Sequence, residues 1–422
     1  MSALPAGWVM TCIADIALFN PKTIAEDSLK AAFAPMQFLG TRYRDRMAFE
    51  ERPWGEIKKA YVHFQPRDVI VAKVTPCFEN GKAGVAPPLP NSIGAGSSEF
   101  CVFRPAQGVD ERYLLAWLST DDFRRRATVA MTGSVGLKRV PKEVFLSEQI
   151  PLAPEAEQKR IADKLDTVLT RVDAVNTRLA RVAPLLKRFR QSVLAAATSG
   201  RLTEDWRLDR RLPAPKAHEL GTIIRVSSGK GLTAKQMVGS GGIRVFGGNG
   251  ITGYHDQANT VEPTLLIGRV GYYCGSVHLT PPIAWVTDNA LIVRHDPKIV
   301  QKNYLFFALQ AIDLRQNDSS TAQPVISGQK IYGLLVVLPH FDEQTEIVRR
   351  VETLFAFADR LEARLAQAQT AATRLTPALL AKAFRGELVP QDPNDEPAAE
   401  LLRRLASSPT APAKRGRAAK AT

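Results

Sequence analysis

Eleven side chains able to bond a nucleic acid fall in loop-like stretches of the sequence. Lys73, Thr75, Asn80, Lys82, Lys138 and Arg139 belong to the first half of the chain, and Lys230, Asn249, Tyr254, Arg269 and Gln323 to the second. Arginine and lysine can bond the guanine edge, asparagine and glutamine the adenine edge, and all can touch phosphate. Taken singly, each is most simply a solvated surface side chain. Taken as two basic groups on separate segments, they point to DNA. The run Arg124-Arg125-Arg126 reads as a helix face. The net charge of +14 favours a polyanionic partner, although part of it sits in the tail PAKRGRAAKAT.

Motifs that would carry catalysis are missing. Asn20-Pro21 is followed by Lys22-Thr23 and does not make the Asn/Asp-Pro-Pro-aromatic loop of an amine methyltransferase. Gly239, Gly241 and Gly242 do not make G-x-G-x-x-G, and Gly229-Lys230 fails the phosphate-loop pattern because Gly231 follows and Ile224 precedes. No H-E-x-x-H or G-x-S-x-G occurs, and no carboxylate spacing suggests a nuclease. Cys12, Cys77, Cys101 and Cys274 are scattered, and none of the six histidines pairs with one at ligand spacing. The expectation is free thiols, no metal, no resident cofactor and no catalytic residue. No apolar run reaches membrane-spanning length, and the opening residues lack a signal-peptide pattern. Both predict a cytoplasmic protein.

The elements that must position these loops announce themselves by repetition. Ile161, Leu165, Val168, Val172, Val175 and Leu179 step by four and three, a heptad seam. Ile347, Val351, Leu354, Ala358, Leu361 and Leu365, each 186 residues later, repeat it. Gly200 and Gly386 stand at matching C-cap positions. The spacing predicts two long helices pairing with each other, with a kink or break at Pro184 and Pro377.

A segment with strand-like and helix-like stretches in the same order precedes each helix. DVIVAKVTPCFENGK matches TLLIGRVGYYCGSVHL, so that Lys73 lines up with Arg269. Val102 matches Ile292, and Arg104 matches Arg294. The plan is globule, helix, globule, helix. The stretch 227–255 is glycine-rich, which suits hairpins and close ligand approach equally.

Four features together resemble the specificity subunit of type I restriction-modification systems: LPAGW, DVIVAKVTPCFENGK, IPLAPEAEQKRIADKLD, and the duplicated plan ending in LLAKAFRGELVPQDP. The resemblance covers about residues 4–390. It implies a mixed α+β (α/β) chain of two pseudo-repeated target recognition domains and two long antiparallel coiled-coil spacer helices. The divisions expected are recognition domains at 1–153 and 204–340, spacers at 154–203 and 341–390, and a basic, disordered tail at 391–422. It further implies that each domain reads one half of a split DNA target and that the spacers fix the gap. Two modification subunits that bind S-adenosylmethionine and methylate adenine would be partners. Restriction subunits using ATP and Mg2+ would be partners too. RVGYYCGSV departs from the turn of the first domain, as different half-sites require. The competing readings are a coiled-coil interaction scaffold and an orphan specificity subunit without restriction activity.

Overall fold

A computed structural model describes residues 4–134, 136–240, 242–316 and 325–407. The chain forms two compact units, one of Met1–Arg178 with Ala368–Thr422 and one of Leu179–Gln367. The division therefore does not follow the linear order expected. Each unit takes one globule, the first part of the helix that follows it, and the last part of the other long helix.

In the first unit a four-stranded antiparallel sheet runs in the order Ala17–Phe19, Phe100–Pro105, Val69–Ala72, Ala83–Val85. Alternate side chains of a strand face opposite sides, and this sheet is apolar on both. Val69, Val71, Cys101 and Phe103 enter the core beneath the helices, whereas Ile70, Ala72, Phe100 and Val102 enter a second core. That double burial explains the unbroken run Val-Ile-Val-Ala. A second sheet, ordered Glu50–Pro53, Lys30–Ala34, Gly94–Gly96, Val62–Phe64, carries one parallel pair between Lys30–Ala34 and Gly94–Gly96.

The second unit repeats this plan. Ile224–Ser228, Ala290–His295, Leu265–Gly268 and Val277–Leu279 form the antiparallel sheet. Leu265 and Ile267 face one core and Leu266 the other. Val69 pairs with Phe103 and Leu265 with Val293, which puts Arg104 and Arg294 at matching positions. A three-stranded sheet of Gly250–His255, Ile243–Gly247 and Trp285–Val286, the last pair parallel, stands where the first unit has four strands.

The first long helix runs Glu155–Thr198 and the second Phe341–Thr373, followed by Leu375–Ala383. In the second unit Arg190 bonds Asp359 (2.5 Å) and Arg350 bonds the Leu202 carbonyl (2.8 Å). One partner number rises as the other falls, so these segments pair antiparallel. Leu186, Ala358 and Leu365 form the seam between them, with Leu179 and Leu361 half-buried against it. Ile347, Val351 and half-buried Leu354 continue into the globule core. In the first unit Ile161 and Leu165 are fully buried and Val172 is buried.

Two expected seam positions are corrected. Val168 is only half-buried while its neighbour Leu169 is buried, and Val175 is 43% exposed. A straight helix of 3.6 residues per turn drifts from a strict heptad, so the buried stripe passes through Leu169. Val175 lies near the changeover at Arg178/Leu179 from one unit to the other. Of the two prolines expected to kink or break the helices, neither stands at a break. Pro184 sits inside the unbroken first helix, on its exposed face. In the second, the break falls at Arg374, and Pro377 lies in the first turn of the next helix, where no N–H is needed.

The expected disordered tail is corrected as well. Ala398–Ser407 is a helix whose Ala398 and Leu401 are buried in the first core, and the Ala398 N–H donates to the Gly7 carbonyl (2.9 Å). Arg160 fastens the preceding loop through Asp395 (2.5 Å). Residues 408–422 of the basic tail lie outside the described residues.

Repeat symmetry reaches the buried polar groups. Gly200 and Gly386 both take positive φ, +73° and +70°, as a left-handed helix cap requires. Gln158 donates to the Ala153 carbonyl and accepts from the Asp110 N–H; Gln344 donates to the Pro339 carbonyl and accepts from the Gln301 N–H. Glu157 and Glu343 are buried, each with one carboxylate oxygen lacking a hydrogen-bond partner. Glu343 accepts from Thr203 (2.8 Å) and Arg207 (2.7 Å), whereas among the described residues Glu157 accepts only from the Trp8 indole (2.9 Å).

Burial consequently holds the Glu157 carboxyl above its ordinary value, against the Trp8 bond and the nearby Arg160. A raised folded-state value means that ionisation costs stability, and this cost appears as pH rises through it. Glu157→Gln should therefore raise the melting temperature at pH 8, with the gain vanishing as pH falls to about 4, where the free carboxyl titrates. A gain that persists unchanged at acid pH in thermal melts would refute this.

Candidate nucleic-acid interface

In the first unit the loop after strand Val69–Ala72 and the hairpin of Thr132–Ser134 and Leu137–Arg139 are tied together. The Thr75 N–H donates to the Lys138 carbonyl and the Lys138 N–H to Thr75 Oγ1, both at 3.0 Å. Thr75 Oγ1 also donates to the Gly136 carbonyl, and the Val140 N–H reaches the Lys73 carbonyl. Lys73, Thr75, Lys138 and Arg139 are thus assembled from positions more than sixty residues apart. Lys73 and Arg139 share a cleft with Asn20, Cys101 and Lys142.

Not all of these cations are free. Arg139 makes a forked pair with Glu99, Nη2 to Oε1 at 2.7 Å and Nε to Oε2 at 2.9 Å, and this holds the Glu99 carboxyl below its usual range. The Lys73 ammonium donates to the Ser98 carbonyl and Lys82 to the Met36 carbonyl. Lys82 is thereby a half-buried strut under the loop, and Asn80 an exposed residue on its turn. Lys138 remains exposed. Burial pushes the Cys101 thiol up to about 12 despite Lys73, so it is no nucleophile near neutrality. In the arginine run, Arg125 and Arg126 pair with Asp122, while Arg124 lies over Gly81, where a Cβ would stand 2.6 Å from the Arg124 Nη1.

The second unit places Arg269 at the start of the matching turn. The Arg269 N–H donates to the Asn289 carbonyl, and the Ile326 N–H to the Arg269 carbonyl, the same scheme that holds Lys73. Arg269 Nη1 reaches Ser228 Oγ at 3.3 Å. Two glycines then bring this turn against the hairpin tip at Asn249. A Cβ on Gly268 would stand 2.4 Å from the Gly248 carbonyl oxygen, an approach only glycine permits. Ser276 Oγ donates to that same carbonyl. Asn249 and Arg269 are exposed and half-exposed on this joined pair of turns. Lys230 stands beside it over the Trp285 ring (5.6 Å).

Tyr254 lies on the strand Gly250–His255, paired with Arg244, its carbonyl accepting from the Val238 N–H. Gln323 lies outside the described residues. Sequence reasoning passed over Tyr272 and Tyr273 at the tip of the turn, 85% and 49% exposed, with rings edge-to-face at 5.1 Å. The signal available was two adjacent aromatics where the first unit has Pro76-Cys77; the buried Phe78 that follows has the buried Cys274 as its counterpart. Among the described residues no group of carboxylate, histidine and cysteine side chains could hold a metal, and no helix is long and apolar enough to cross a membrane.

Comparison with known proteins agrees with this architecture. The sequence model of the type I restriction modification DNA specificity domain matches residues 5–183 and 216–369. The type I restriction enzyme EcoAI specificity subunit of Escherichia coli is 34% identical over 209 residues, 48% of this chain and 36% of that protein. The matches to that subunit and to the EcoEI one thus span about a third of those relatives' lengths (36% and 35%). The StySPI specificity subunit of Salmonella potsdam is 31% identical over 357 residues, 77% of this chain and 76% of that protein. A structure described as the basis of complex assembly and conformational transition of the type I R-M system superposes with TM-score 0.72 at 19% identity. It covers 92% of this chain and all of that one. The HsdS subunit from Thermoanaerobacter tengcongensis gives 0.62 at 19%, covering 91% and 98%; at this identity both speak to fold alone. With the specificity-domain model matching both globules and most of the two long helices, the chain belongs to the family of type I restriction-modification DNA specificity proteins.

Proposed function

We propose that this chain is the DNA-specificity subunit of a type I restriction-modification complex. Each globule reads one half of a split, asymmetric duplex target. The chain carries no catalysis itself. It docks two modification subunits, which bind S-adenosylmethionine and methylate adenine, and restriction subunits that use ATP and Mg2+. The complex works on cytoplasmic DNA. One observation supports this above the rest: a single sheet-and-helix framework is used twice in matching register, while the turns at the same place differ, Thr75–Asn80 in one and Gly271–Gly275 in the other. Shared framework with unlike turns is what reading two unlike half-sites requires, since base contacts alone carry sequence information. The charge of +14 fits the phosphate attraction that accompanies it.

The test is a methylation map. Co-expressed with its cognate modification subunits, the chain should direct adenine methylation to a split motif with a fixed gap and a modified adenine in each half. An assembled, cofactor-supplied complex that methylates nothing would favour a coiled-coil scaffold instead. Inserting four residues, about one turn, between Arg171 and Arg181 should change the length of that gap. An unaltered gap would remove the spacer role from the helix.

A further inference from the structure

Tyr272 is the most exposed large ring of the second unit, and the turn beneath it is built to hold still. The Gly268 N–H donates to the Ser276 carbonyl (2.7 Å), the Gly275 N–H to the Gly268 carbonyl (2.8 Å), and the Cys274 N–H to the Gly271 carbonyl (3.0 Å). Cys274 is buried beneath it, and Gly271 and Gly275 take φ of +78° and +87°. The Gly248–Gly268 approach and the Ser276 bridge join this turn to the hairpin bearing Asn249. A ring left 85% in water on a braced turn contributes nothing evident to the fold, and on the joined hairpin the exposed Asn249 amide has no hydrogen bond among the described residues.

Resting on the reading of the chain as a DNA-specificity subunit, we infer that Tyr272 and Asn249 read one half-site together, through the groove edges of its base pairs. The Tyr272 ring makes an apolar contact with a thymine methyl, and the Asn249 amide bonds an adenine edge, the pairings that groove chemistry offers each group. Their shared mount makes them one reading head rather than two independent contacts. The first unit cannot use the same device. Pro76 stands where the second unit has Tyr272, and no aromatic ring is exposed on that turn, since Phe78, like Cys274, is buried.

Methylation maps of the assembled complex test this with Tyr272→Ala, Tyr272→Phe and Asn249→Ala. The alanine variants should each relax one position of the same half-site, by about tenfold in selectivity. The position freed by Tyr272→Ala should be a T·A pair, and the other half-site should stay intact. Tyr272→Phe should keep the parental motif, because the ring and not the hydroxyl makes the contact. The inference is overturned if Tyr272→Ala leaves the motif unchanged, if it weakens both halves evenly, if the two alanine variants alter different halves, or if Tyr272→Phe behaves like alanine. Should the parental complex yield no split motif, the specificity-subunit reading itself fails, and that result is distinct from all of these.

Discussion

Asp68→Ala should strip about 3 kcal/mol from the first globule. Asp68 is 1% exposed and sits at the entry to the strand Val69–Ala72. Its two oxygens take the fork of Arg104, Nε to Oδ1 at 2.9 Å and Nη2 to Oδ2 at 2.8 Å, and Oδ2 also accepts the Gln65 N–H at 2.7 Å. Alanine would leave a guanidinium and a backbone N–H without their acceptor, and such stranded groups cost more than the bonds contributed. The Arg104 side chain keeps 26% exposure, so water recovers part of the loss and the lower end of the buried-pair range applies. Amide exchange of Val69–Ala72 and Phe100–Pro105 is the right readout, because a chain of two units need not melt in one step. Exchange there should quicken roughly a hundredfold, about 1.4 kcal/mol per decade. Adding Arg104→Met should return part of the protection; equal exchange in parent and single variant would show that the pair holds nothing.

This pair also shows why only part of the design was readable in advance. Arg104 was matched to Arg294 by its strand, and both do occupy the same register position. Asp68 has no counterpart visible in that match, since its role depends on a turn and on residues 36 positions away. The long helices were legible because a buried stripe writes itself at every third or fourth position. The main strands were legible because burial on both faces writes an unbroken apolar run. The second sheets were not: Gly94–Gly96 reads Gly-Ala-Gly, and Trp285–Val286 is two residues long. Helix Ala398–Ser407 carried Leu401, Leu402 and Leu405 at helical spacing, but the Pro, Ala, Lys and Arg around it dominated the composition.

For the candidate interface, residue type was legible and partnership was not. Lys82 and Arg139 are lysine and arginine as a DNA surface would have, yet the Met36 carbonyl and Glu99 engage them from distant points of the chain. Conversely, the adjacent pair Tyr272-Tyr273 marked a difference between the two turns, but not which way the rings face. Only the fold shows that Phe78 and Cys274 turn inward at the same point of the two turns while Tyr272 faces water.

Gly268→Ala should do more damage to the second globule than any substitution at the turn's own tip. The new Cβ would meet the Gly248 carbonyl oxygen at 2.4 Å, the Tyr273 carbonyl oxygen at 2.6 Å and Ser276 Oγ at 2.7 Å. Two of the three are backbone, so no rotamer change can clear them. Overpacking of this kind costs about 1–3 kcal/mol where side chains can yield, and backbone contacts put this site at the upper end or beyond. Gly271→Ala makes the fitting control: its φ of +78° disfavours a side chain, yet nothing stands within 4 Å. It should cost only the left-handed strain, roughly 1–2 kcal/mol. Amide exchange should separate them, with the Gly268 and Gly275 N–H groups, which close the turn, losing far more protection in the first variant than in the second. In the methylation map, Gly268→Ala should blur several positions of one half-site because Asn249 and Tyr272 lose their common mount, while the other half keeps its sequence. If Gly271→Ala proves the more disruptive of the two, strain at the tip rather than the glycine-to-glycine approach sets the geometry of the turn.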